Sequence, residues 1–172
     1  MDYITESFRP FRSCPTLDKS YLAWLTKAEK KKAQVWKELG IFDLIQMSKL
    51  GFSYCQPFLL ASLYLWDSTY NTFHLPCGMI TPTFFDIASM TGLPPTGEAF
   101  DPYFESENTI DFNVKNASFS TYIDLYHVDG EDVSDVEHIA LLALWLSKFI
   151  FCCKSLQVAN RFLTLANQLH SG

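Results

Sequence analysis

Apolar residues recur at helical spacing through most of the chain and alternate in one short stretch, and this pattern alone divides the sequence into elements. Tyr21, Leu22, Trp24 and Leu25 open a helical pattern that Val35, Trp36 and Leu39 continue past a lysine-rich run at 27–32. Gly40 suits the left-handed position just past a helix end. Ile41, Phe42, Leu44, Ile45 and Met47 predict a short buried helix ending near Gly51. Pro57 suits a first helical position, and Phe58, Leu59, Leu60, Leu63 and Leu65 carry a further helix to Trp66. That helix is apolar nearly all round, which predicts a central place in the fold.

The period then changes. Thr72-Phe73-His74-Leu75 alternates as a strand does, Pro76-Cys77-Gly78 supplies a turn, and Met79-Ile80 returns, so a small hairpin is predicted over 71–81. Thr81 follows as a helix N-cap with Pro82 at the first helical position, and Phe84, Phe85, Ile87, Ala88 and Met90 are expected to pack inward. Gly92 suits the left-handed site at the helix end, Leu93 folds back on the last turn, and Pro94-Pro95 stops continuation. Residues 96–132 are acidic and weakly periodic, and read as a long surface connection with one short element near 119–126. Ser134 and Glu137 form a capping box ahead of an apolar run, predicting a helix over 135–152. Another is predicted over 155–169, with Val158, Phe162, Leu165, Ala166 and Leu169 on one stripe. The fold class is therefore mainly α, a helical bundle-like domain with one small β-hairpin near 71–81. Residues 1–18, with Pro10 and Pro15 and no periodicity, form an N-terminal arm, and 19–172 form the domain.

Composition supports a packed core: of 172 residues, 48% are hydrophobic and 16% aromatic, unlike a disordered chain. The net charge of -6 provides no global attraction to phosphates and leaves contact with nucleic acid open. The charge is uneven. Residues 1–49 hold nine Lys or Arg against six acids, whereas 98–137 hold eleven acids and Lys115 alone as a base. The lysine run is read as a solvated helix face. Five cysteines without regular spacing do not make a disulfide framework and point to a reducing compartment. The N-terminus lacks the pattern of a secretory signal, so the Asn116-Ala117-Ser118 triplet is expected to be unused, and the apolar run 139–146 is too short to span a bilayer.

The 71–98 stretch concentrates a His, a Cys and an Asp among glycines and prolines. His74 and Cys77 have the H-x-x-C spacing of two zinc ligands or of a thiol with its base, but no second ligand pair has suitable spacing. The bland reading makes His74 a hairpin side chain bonded to a neighbour, Cys77 a turn residue and Asp86 a hydrogen-bonded carboxylate. Asp67 reads as a turn or capping residue, and His127 and His138 as single histidines. There is no G-x-G-x-x-G, no P-loop and no G-x-S-x-G. An enzyme, hydrolytic or pyridoxal-dependent, remains the alternative; it requires His74, Cys77 and Asp86 to converge in one cleft.

The stretch from Asn71-Thr72-Phe73-His74-Leu75-Pro76-Cys77-Gly78 through Thr81, Asp86 and Thr91-Gly92-Leu93-Pro94 to Gly97 resembles the hallmark segment of the plant mobile domain, also called aminotransferase-like. Trp36-Lys37-Glu38-Leu39-Gly40-Ile41-Phe42-Asp43-Leu44-Ile45 is similar to that family's early helix, and 137–152 and 154–170 to its central helices. The likeness covers roughly residues 20–172 and implies a domain that continues beyond this chain, truncated at its C-terminus. It implies a plant protein, transposon-borne or host-derived, whose relatives act in the nucleus in transposon silencing, genome stability and meristem maintenance. It also implies a phosphatase-like protein partner of the plant long-form phosphatase 7 group, with no catalytic, cofactor or metal residues to carry over. A pyridoxal enzyme needs a Schiff-base lysine and a phosphate cup; Lys115, Lys148 and Lys154 have no Gly-rich loop beside them. The third reading is a truncated gene product without an independent role.

Overall fold

Helix α1 (Lys19–Glu38) starts where Asp18 supplies its side chain: Ser20 N donates to Asp18 Oδ1 at 2.9 Å, filling a donor that every helix start leaves unpaired. The computed structural model describes residues 18–51, 55–97, 117–153, 155 and 157–171. The expected arm therefore lies outside the described residues except for Asp18, which belongs to the helix, and most of the acidic connection lies outside them too. Tyr21, Trp24, Leu25, Ala28 and Trp36 form the buried stripe of α1. Gly40, at φ 70°, turns the chain into α2 (Phe42–Met47), which buries Leu44 and Ile45.

Five further α-helices and a sheet follow among the described residues. The core continues with α5 (Phe119–Tyr126), α6 (Asp135–Trp145) and α7 (Leu163–Ser171); between α2 and α5 lie α3 (Gln56–Tyr64) and α4 (Phe84–Thr91). Helix α6 is the axis of the core. It is buried at every position from Glu137 to Trp145 and packs against α1, α5 and α7. It extends as a π-helical turn, Leu146–Ile150, in which Phe151 N donates to Leu146 O at 2.8 Å. The helix predicted over 135–152 thus changes period, and Cys152, at φ 43°, ends it. The helix expected from 155 starts later, at a 3-10 turn Asn160–Phe162. Tertiary bonds win over propensity there: Cys153 N donates to Ser147 O, Ala159 N donates to Ser147 Oγ, and Gln157 bridges Ser118. Val158, Phe162 and Ala166 are buried as the stripe predicted.

Residues 55–97 form a second group. Strands β1 (Trp66–Asp67), β2 (Thr72–Leu75) and β3 (Gly78–Ile80) make an antiparallel sheet in that order, with Phe73 opposite both Trp66 and Ile80. The predicted hairpin is present, and a third strand replaces the last residue assigned to the preceding helix. Trp66 meets Phe73 edge-on at 4.8 Å and His74 N donates to Leu65 O at 2.8 Å, contacts only a strand there allows.

Two expectations of burial fail in this group. Helix α3 is not central: Phe58 is 73% and Tyr64 83% exposed. In α4, Phe84 and Phe85 are 77% and 73% exposed, Ile87 and Met90 are exposed too, and Ala88 is only half-buried. Apolar periodicity states that a face prefers burial, and cannot state which surface covers it. The aromatic core on α1, α5 and α6 closes on itself, and α3 to α4 share no extensive contact with it among the described residues.

Candidate interaction face on the 55–97 segment

Local chemistry places each residue of the hallmark segment. Gly78 opens β3 at φ 132°, a conformation that side chains resist, and so permits the tight turn after Pro76-Cys77. Thr81 does not cap a helix; its Oγ1 donates to Asn71 O at 2.8 Å and closes the base of the hairpin. Thr83 is the N-cap instead. Asp86 N donates to Thr83 Oγ1 at 3.3 Å and Thr83 N donates to Asp86 Oδ2 at 2.7 Å, a reciprocal capping box. Pro82 consequently sits outside the helix. Gly92, at φ 72°, ends α4 as expected, and exposed Leu93, Pro94 and Gly97 follow in irregular chain.

The three residues of the enzyme alternative take different partners. His74 Nε2 lies 3.7 Å from Asp67 Oδ2, and its ring stacks on Tyr70. Asp67 also accepts from Thr69 N at 2.7 Å, the turn bond predicted for it, and this backbone hydrogen bond is the main cause holding its carboxyl below the usual range. Asp86 is fully exposed, and its hydrogen bonds from the Thr83 side chain and then the Thr83 backbone lower its pKa. Cys77 is an exposed free thiol in the turn. Among the described residues no group of three or more His, Cys, Asp or Glu is arranged to hold a metal ion. The hydroxyl of Thr72 has no hydrogen-bond partner among the described residues, and Phe73 and Leu75 are half-buried.

What the segment presents outward is apolar. Phe58 and Tyr64 from α3, Met79 from β3, and Phe84, Phe85 and Met90 from α4 are each more than two-thirds exposed or close to it. No Lys or Arg occurs between Lys49 and Lys115, so Asp67 and Asp86 are the only full charges on the described part of this group. Exposed aromatic surface of this kind is a candidate for protein contact.

A family model described as Plant mobile domain matches residues 40–172. The chain belongs to the plant mobile domain family. No curated protein and no solved structure matches it. The plant mobile domain match starts at Gly40, so α1 precedes it, although α1 contributes Tyr21, Trp24 and Trp36 to the same core. Among the described residues no helix of this plant mobile domain chain is long and apolar enough to cross a membrane.

Sequence reasoning also missed polar groups inside the core. Lys27 is not on a solvated face: its Nζ donates to Glu137 Oε1 at 2.8 Å and to Val128 O at 2.6 Å, with the two side chains 12% and 2% exposed. Lys31 and Lys32 lie near Asp132 and Asp135. The lysine run therefore faces the acidic start of α6, a charge complementarity visible only once the two segments are brought together. Ser134 caps α6 through Glu137 N at 3.2 Å, while Glu137 forgoes the reverse bond of the expected box to hold Lys27 and Val128 N.

Proposed function

We propose that this chain is a non-enzymatic interaction module of the plant mobile domain family, transposon-related or host-derived, that acts in nuclear silencing of transposons and genes, genome stability and meristem maintenance. Its partner is a phosphatase-like protein of the plant long-form phosphatase 7 group. The biological setting and the partner rest on family resemblance. The observation that carries the mode of action is the set of large apolar side chains exposed on α3, β3 and α4, a segment without Lys or Arg. His74, Cys77 and Asp86 act in this reading as hairpin, turn and cap.

The experiment is capture from plant nuclear extract on the immobilised chain, read with an antibody to the phosphatase-like partner. The Phe84→Ser, Phe85→Ser double variant is expected to capture at least about tenfold less, since central aromatic anchors each contribute about 2 kcal/mol or more to an interface. Both side chains are exposed, so its thermal unfolding should match the parent's. Equal capture by parent and variant, or none by either, overturns the proposal.

A further inference from the structure

Two histidines that look unremarkable in sequence are joined in the core. Trp36 Nε1 on α1 donates to His138 Nε2 on α6 at 2.9 Å, and His138 Nδ1 faces His170 Nδ1 on α7 at 2.8 Å. His170 Nε2 lies 3.5 Å from Asp135 Oδ1, which also has Lys32 Nζ at 3.6 Å. Donor chemistry fixes the protons. An indole nitrogen only donates, so His138 Nε2 is the acceptor and the ring carries its proton on Nδ1. That proton points at His170 Nδ1, which must accept, leaving the His170 proton on Nε2 toward Asp135. Every site in the chain is used once. A further proton has no place: on His138 Nε2 it meets the Trp36 N–H, and on His170 Nδ1 it meets the His138 N–H.

We propose that this Trp36–His138–His170–Asp135 relay is an acid-sensitive latch that holds α7 on α6 and α1, and that protonation of either imidazole opposes donor to donor and releases α7. Of the charged groups facing the pair, Lys32 on α1 disfavours a second cation, Asp135 on α6 favours one, and a charge on His170 opposes one on His138. Helix α7 contributes no charge besides His170. Burial acts first and with the geometry, pushing His138 down to about 3 and lowering His170. Both histidines bind protons less tightly folded than unfolded. The latch is therefore complete above the ordinary histidine value of about 6.5 and its stabilisation is lost as pH falls below it.

The test uses the full chain between pH 7.5 and 5, above the range where carboxylates titrate. Long-range nitrogen–proton NMR on the parent should find His138 as the Nδ1–H tautomer and His170 as the Nε2–H tautomer. Hydrogen exchange of α7 amides, corrected for intrinsic rates, should accelerate on acidification. The unfolding constant should rise up to about tenfold per pH unit for each histidine that stays neutral in the fold. Trp36→Phe frees His138 Nε2 to take a proton while Nδ1 still donates, so it should flatten that pH dependence; simple burial of His138 would leave it steep. The inference is overturned by the opposite tautomer at His138, by α7 protection that does not change down to pH 5, or by an undiminished pH slope in Trp36→Phe. The NMR measurement decides even where the variant folds poorly.

Discussion

At Glu137 two tasks compete for one carboxylate. The third position of a helix beginning with Ser134 normally returns its side chain to the cap, yet this one turns to Lys27 and the backbone N–H of Val128. The choice follows from burial: an ammonium that is 12% exposed needs a counter-charge more than an exposed cap needs a second bond. Removing one partner strands the other. Glu137→Ala is expected to destabilise the fold by about 3 kcal/mol in urea unfolding, within the usual range for breaking a buried pair, whereas Lys27→Met with Glu137→Leu should recover most of that loss. A double variant as unstable as the single one would mean that the pair is not what matters at this site. Lys148 shows another solution to a buried cation. It is 8% exposed and lies over the rings of Tyr21, Phe119 and Phe149 at 5.5 to 5.7 Å. Burial lowers its pKa, and Asp18 partly offsets this.

Among the elements, α4 is one whose stop at Gly92 was legible, whose start lies two residues beyond the expected Thr81 cap, and whose surroundings could not be read at all. A helix of eight residues with no buried side chain has little tertiary support, so its caps carry unusual weight. Thr83→Ala should cost about 1 kcal/mol of local helix stability, seen as faster amide exchange through α4 with the core helices unchanged. Uniform acceleration across the molecule would show instead that α4 is part of the core's cooperative unit. The sheet teaches a related lesson. The Thr72 to Ile80 hairpin could be read from alternation and a turn, but a two-residue strand at Trp66–Asp67 has no period of its own and exists through pairing with Phe73 and Thr72. The delayed start of α7 has a similar origin, since Ser147, on the π-helical turn that continues α6, takes up the backbone N–H groups of Cys153 and Ala159.

At the scale of the whole molecule the chain combines an aromatic helical core with a segment, 55–97, whose large apolar side chains are mostly exposed. Hydrogen exchange should therefore be graded: slowest in α1 and α6, and open at low cost in α3, β1 to β3 and α4. Equal protection of both groups in the isolated chain would contradict this arrangement. Helix class, the hairpin, the turn at Gly78, the stop at Gly92 and the family itself were readable from residues, because each depends on neighbours within a few positions. Family membership likewise rested on a contiguous string around 71–97, which the match over 40–172 bears out. What only the tertiary structure decided was which apolar face finds a cover and which polar group finds a partner. Trp36 with His138 and Lys27 with Glu137 are each about a hundred residues apart, and no local pattern encodes such a meeting. Phe84 and Phe85 look as buried in sequence as Leu141 and Leu142; their difference lies in packing, which depends on the surface opposite and so on the whole chain at once.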